Sequence, residues 1–255
     1  MEEVIVEKSK LGEIVYLFYC KKKSINKPLV IISHGAGNDK YEGSNLALNL
    51  ALQGYCVICF DADKHGERDD GSTQNASSHS SFTKIMAHVI KQSSEDIKLL
   101  INSCKLDDRV DQSRIALVGI SMGAMSTFYT LTKNQDIKVA IPIIGSPDFV
   151  GLEKYALEAN SANKVLSQDE KIGIKYMKDI DPYLYLIKNE NRPMLIMNGE
   201  KDDWVPANFS EGFYDKIRQK YEQNNTQLDF FLSDESHYFS NGMRDHTIKW
   251  LNENL

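Results

Sequence analysis

Gly119-Ile120-Ser121-Met122-Gly123 lies between two runs of different character. Before it, Ile115-Ala116-Leu117-Val118 is short, apolar and rich in strand formers. After it, Ala124-Met125-Ser126-Thr127-Phe128-Tyr129-Thr130-Leu131 can continue as a helix. Strand, sharp turn and helix, with a serine at the turn, is the context that G-x-S-x-G demands of a nucleophile elbow. The serine of such a turn has a strained backbone. Gly119 and Gly123 remove side chains that would clash across it, and Ala124 keeps the next contact small. The free N–H groups of the following helix then face any negative charge that forms on a substrate at the serine. With glycine at about 7 % of residues, a chain this long carries the pattern by chance about one time in ten. The weight therefore falls on whether a base, an acid and an oxyanion site stand elsewhere.

Working outward, Leu29-Val30-Ile31-Ile32-Ser33 and Tyr55-Cys56-Val57-Ile58-Cys59-Phe60 are continuous apolar runs, the mark of strands buried on both faces. Strands are also expected at 3–7, 13–20, 113–119, 137–144, 192–197 and 227–232, which makes eight. Helical spacing is expected at 41–53, stopped by Gly54, and at 82–104, 122–133, 208–221 and 243–255. Residues 61–81 read as a long polar loop. Residues 148–180 break the rhythm with two helical patches and no strand, and read as a small helical cap inserted over the sheet's C-terminal edge. Alternating strands and helices imply a mostly parallel sheet covered on both faces, in one domain spanning 1–255. In such sheets ligands gather at the C-terminal ends of the strands.

The 255 residues carry a formal net charge of −6 and no basic stripe, which argues against a nucleic-acid partner. No apolar run approaches a membrane span. Met1-Glu2-Glu3-Val4-Ile5-Val6-Glu7 lacks the basic and then apolar regions of a signal peptide, so a cytoplasmic location is expected. Cys56 and Cys59 have C-x-x-C spacing but sit inside a strand-like run. With Cys20 and Cys104 they read as buried, reduced structural cysteines rather than a metal site.

Three further pieces lie beyond strand ends. Gly199-Glu200-Lys201-Asp202-Asp203-Trp204-Val205-Pro206 supplies a carboxylate suited to holding a histidine in one tautomer. Ser233-Asp234-Glu235-Ser236-His237-Tyr238 supplies an imidazole suited to taking a serine proton near neutral pH. His34-Gly35-Ala36-Gly37 supplies glycines that let backbone N–H groups approach a substrate oxygen. Ser121, then Asp202, then His237 is the chain order of α/β-hydrolases.

These pieces, with Asp63-Lys64-His65-Gly66-Glu67-Arg68 and Gly145-Ser146-Pro147, resemble serine esterases of the α/β-hydrolase superfamily. Within it they resemble small bacterial esterases of the prolyl-oligopeptidase and dienelactone-hydrolase-like branch. The resemblance covers nearly the whole chain. It implies Ser121 as nucleophile, Asp202 as acid with Asp203 ranked second, and His237 as base. It implies the N–H groups of Ala36 and Met122 as oxyanion hole. Dienelactone hydrolases use cysteine as nucleophile, so a serine at 121 favours hydrolysis of small esters through an acyl-enzyme, with no cofactor or metal. A peptidase or acylaminoacyl hydrolase, a thioesterase and a catalytically silent binding protein are the alternatives on this scaffold. A homodimer is left open. Asp61, His65, Glu67 and Arg68 read either as a charged network beside the site or as a pin for the long loop, with Arg68 also able to meet an acidic substrate group.

Overall fold

The computed structural model describes residues 3–159 and 165–255. Among these, eight strands form one sheet: β1 (Val4–Leu11), β2 (Ile14–Lys21), β3 (Lys27–Ser33), β4 (Cys56–Phe60), β5 (Val110–Ile120), β6 (Val139–Ile143), β7 (Met194–Gly199) and β8 (Leu228–Ser233). Their spatial order is β1-β2-β4-β3-β5-β6-β7-β8. β2 runs antiparallel to both β1 and β4, and every other pair is parallel. The helices are α1 (Ser44–Gln53), α2 (His79–Ser103), α3 (Met122–Leu131), α4 (Phe149–Ala159), α5 (Gln168–Lys178), α6 (Tyr183–Asn189), α7 (Ala207–Gln223) and α8 (Asn241–Asn254). This is the α/β-hydrolase fold.

Alternate residues of the central strands face opposite layers, as a period of two requires. Leu29 and Ile31 of β3 pack with Ile97 and Leu100 of α2, Phe128 of α3 and Phe213 of α7. Val30 and Ile32 pack with Leu46 and Leu50 of α1 and Trp250 and Leu251 of α8. Burying both faces is why these strands read as unbroken apolar runs rather than alternating ones. Cys20, Cys56, Cys59 and Cys104 are free thiols inside these layers, and burial pushes the Cys56 thiol up to about 12.

Several elements differ from the sequence expectation, and three of the differences have a plain local reason. α1 starts at Ser44, not 41, because residues 41–43 form a turn, and Gly54 closes the helix in the left-handed region with φ 102°. α2 starts at His79 because Ser78 and Ser81 form a capping box ahead of the first apolar residue, Phe82. α6 was not expected at all, since seven residues are too few to display a helical period.

The described part of 148–180 folds as α4 and α5. Both lie against the N-terminal half of α2: Met86, Val89 and Ile90 share one apolar cluster with Phe149, Met177, Ile180 and Met122. Polar ties reinforce it. His79 Nε2 bonds Glu153 Oε1 at 2.5 Å, and the Ser80 amide donates to Asp169 at 3.1 Å. Among the described residues, no helix is long and apolar enough to cross a membrane.

Candidate active site

Ser121 stands between β5 and α3 with φ 53° and ψ −111°, a conformation that costs a non-glycine residue free energy and persists only where the surroundings fix it. They do so closely. A Cβ on Gly119 would overlap Gly123 O, and one on Gly123 would overlap Ser33 O. The Ser121 amide donates to Ile143 O at 2.9 Å. The backbone is therefore clamped from β3 on one side and β6 on the other, and Oγ is held out over the strand ends.

Three side chains from three loops form one hydrogen-bonded line. Ser121 Oγ lies 2.8 Å from His237 Nε2, and His237 Nδ1 lies 2.7 Å from Asp202 Oδ2. A carboxylate only accepts, so Nδ1 carries the proton and Nε2 is free to accept from the serine hydroxyl. Asp202 is buried. Its other oxygen, Oδ1, accepts from the amides of Trp204 and Val205, both at 2.9 Å. Asp203, the second-ranked carboxylate, is exposed, and its carbonyl accepts from Tyr155 Oη at 3.4 Å. The Trp204 indole stacks on the His237 ring, with centroids 5.3 Å apart and planes 28° from parallel.

The turn after β3 lies against the nucleophile. A Cβ on Gly35 would sit 3.5 Å from Ser121 Cβ. The Asn38 amide closes the turn on Gly35 O at 3.2 Å, with Gly37 at φ 77° where only glycine is unstrained. The Gly35 N–H is already committed: it donates to Glu42 Oε2 at 2.7 Å, while Asn38 Nδ2 donates to Glu42 Oε1 at 2.6 Å. Ala36 is the next amide on this exposed turn, and Met122 opens α3 directly after the serine. Burial pushes the Glu42 carboxyl up, against the Gly35 N–H. Nothing in the sequence singled out Glu42, because a glutamate in the expected first turn of a helix reads as a solvated residue.

His34 pins this turn to the end of β4. Its Nδ1 donates to Gly35 O at 2.8 Å and its Nε2 accepts from the Ala62 amide at 3.0 Å. The second contact needs the neutral ring, because Nε2 accepts only while it carries no proton. Burial first, then the neighbouring His65, lower His34 from 6.5 to about 4. The unfolded chain therefore binds this proton more readily. The stabilisation is fully present above about 6.5 and drains away as pH falls to about 4, a loss of about 3 kcal/mol. Urea unfolding at pH 7 and pH 4.5 should show a larger acid loss for the wild type than for His34→Gln. Equal losses would place the acid-labile group elsewhere.

The loop after β4 resolves the four residues whose role was open. Asp61 is fully buried and pairs with Lys40, only 2 % exposed, at 2.7 Å. Lys40 Nζ also reaches Glu67 at 2.7 Å. Asp61 accepts from the amides of Lys40 at 2.9 Å and Glu67 at 3.1 Å. Arg68 spends its fork on Asp61 O at 2.9 Å and on Asp96 at 2.5 Å, with Asp63 at 3.4 Å. His65 Nδ1 bonds Asp63 O at 2.9 Å, and its ring tilts against His34 at 5.4 Å. Asp61, His65 and Glu67 bind the loop to the 34–40 turn, and Arg68 binds it to α2 through Asp96. Lys40, at the centre, was invisible in the sequence: a lone lysine reads as surface.

An α/β-hydrolase fold with a serine, a histidine and an aspartate in one hydrogen-bonded line defines the class of serine hydrolases. The chain belongs to the prolyl oligopeptidase family, which matches residues 77–255. It is 29 % identical to the protein named "Putative esterase YitV" of Bacillus subtilis, over 96 % of this chain and 97 % of that protein. It is 26 % identical to esterase YjfP of Escherichia coli, over 80 % of this chain and 81 % of that protein. Among solved structures, TT1662 from Thermus thermophilus superposes with a TM-score of 0.77 at 19 % identity, covering 98 % of each chain.

Proposed function

We propose that this protein is a serine carboxylesterase that cleaves small esters in two steps. His237 takes the proton of Ser121 as Oγ attacks the ester carbonyl, and Asp202 holds the imidazole and balances its positive form. The amides of Ala36 and Met122 receive the oxyanion. His237 passes the proton to the departing alcohol, and water then repeats the sequence on the acyl-enzyme. The observation that carries this reading is the line Ser121 Oγ, His237 Nε2 at 2.8 Å, and Asp202 at 2.7 Å from Nδ1. Labelling by a fluorophosphonate together with turnover of p-nitrophenyl esters tests it. A well-folded protein that does neither would favour a silent binding protein.

The names of YitV and YjfP favour esters over peptides. In this reading α4 and α5 act as a small cap, the substrate is a small molecule, and the protein works in the cytoplasm, where its buried thiols need no oxidising compartment.

Glu42 positions the oxyanion turn without touching substrate. Glu42→Ala is expected to lower kcat by about tenfold or more with little change in KM, since it frees a turn whose amide stabilises only the transition state. Glu42→Gln keeps an oxygen for the Gly35 N–H and should recover most of the loss. Steady-state kinetics on one ester decide it; a change in KM alone would place Glu42 in substrate binding.

A further inference from the structure

Trp204 has a fixed backbone and an open ring. Its amide is tied to Asp202 Oδ1 at 2.9 Å, and Val205, next in the chain, is tied to the same oxygen. From behind, Tyr155 bonds the Asp203 carbonyl and packs edge-on against Phe209 at 5.8 Å. Yet 76 % of Trp204 is exposed. One indole face lies on the His237 imidazole, which leaves the outer face to solvent.

The chemistry fixes which part of a substrate meets that face. When the acyl-enzyme forms, the Ser121 Oγ–carbonyl bond is made, the bond to the alcohol oxygen breaks, and the serine proton travels through Nε2 to that oxygen. The alcohol oxygen must therefore leave from the edge of the imidazole. Whatever the alcohol carries extends from that edge, beside the ring stacked there. The acyl chain hangs from the other side of the carbonyl carbon. A rigid, electron-rich indole face favours a neutral flat ring in offset or edge contact, and such a pair adds to the apolar area it buries.

We propose that the outer face of Trp204 is the alcohol subsite, and that it selects esters whose alcohol bears an aromatic ring. This rests on the esterase reading above and names its substrate class.

The test compares kcat/KM of wild type, Trp204→Ala and Trp204→Phe on ethyl, cyclohexylmethyl and benzyl acetate, which vary the alcohol alone. Ethyl phenylacetate moves the aromatic ring to the acyl side, and an O-acetylated methyl xyloside offers a sugar ring. Trp204→Ala is expected to lose about tenfold more on benzyl acetate than on ethyl acetate. Cyclohexylmethyl acetate should lie between, and Trp204→Phe should retain most of the preference. Equal losses on benzyl and ethyl acetate would reduce Trp204 to a positioning role for His237 and overturn the subsite. So would a loss confined to ethyl phenylacetate or to the acetylated xyloside. A wild type that hydrolyses none of these esters overturns the esterase reading and the subsite with it. Turnover without the benzyl-specific loss overturns the subsite alone.

Discussion

Ser121→Ala removes ester turnover by a factor on the order of a thousand or more and leaves the fold standing. The rate effect follows from the loss of Oγ, the atom 2.8 Å from His237 Nε2; without it no acyl-enzyme forms. The fold survives because the substitution keeps Cβ and adds nothing. Every contact that clamps residue 121, from its amide on Ile143 O to the glycines on either side, is made by the backbone. The strain of φ 53° is common to both residues. Fluorophosphonate labelling and a thermal melt of the two proteins side by side check it. A folded Ser121→Ala that still turns over esters would end the proposed mechanism.

Asp202→Asn is the second large effect, about a thousandfold or more in kcat, whereas Asp203→Asn stays within about twofold. The difference lies in where the amide can point. The N–H groups of Trp204 and Val205 both aim at Oδ1, so an asparagine must keep its oxygen there and turn its NH2 toward His237. An NH2 donates, so Nδ1 would have to accept, and the ring proton would move to Nε2. Nε2 then has no lone pair for the serine proton. The change is in tautomer, not in geometry, so KM and thermal stability should move little while kcat collapses. Asp203 has no part in this line, and its carbonyl accepts from Tyr155. Steady-state kinetics on the two variants separate the carboxylates. Inactivation by Asp203→Asn instead would reassign the acid.

The eight strands and the elbow were legible because burying a sheet on both faces imposes unbroken apolar runs, and because a strained turn leaves glycines at fixed offsets. Ser121, Asp202 and His237 were legible for a related reason: each follows directly on a strand end. Glu42 and Lys40 were not. Their importance comes from partners that only the folded chain brings within hydrogen-bond reach, Gly35 and Asn38 for one, Asp61 and Glu67 for the other. A charged residue at the start of a helix carries no sign that its charge is turned inward. The Asp61–Arg68 stretch is visible in the sequence as a cluster of charge that favours a pin for the long loop over a network beside the site, and the bond of Arg68 to Asp96 agrees with the pin.

The packing of α4 and α5 bears on how this enzyme can be re-engineered. Their apolar side is completed by Met86, Val89 and Ile90 of α2 and by Met122, the residue after the nucleophile. Their polar ties to this helix reach His79, Ser80 and Thr83 near its tip. A chimaera that imports 149–178 from a relative would set foreign side chains against these residues and so disturb the first turn of α3. The smallest transplantable block is that segment together with the opening turns of α2. Donor and recipient would need to be matched at positions 79, 80, 86, 90 and 122 before any altered substrate range could be credited to the graft.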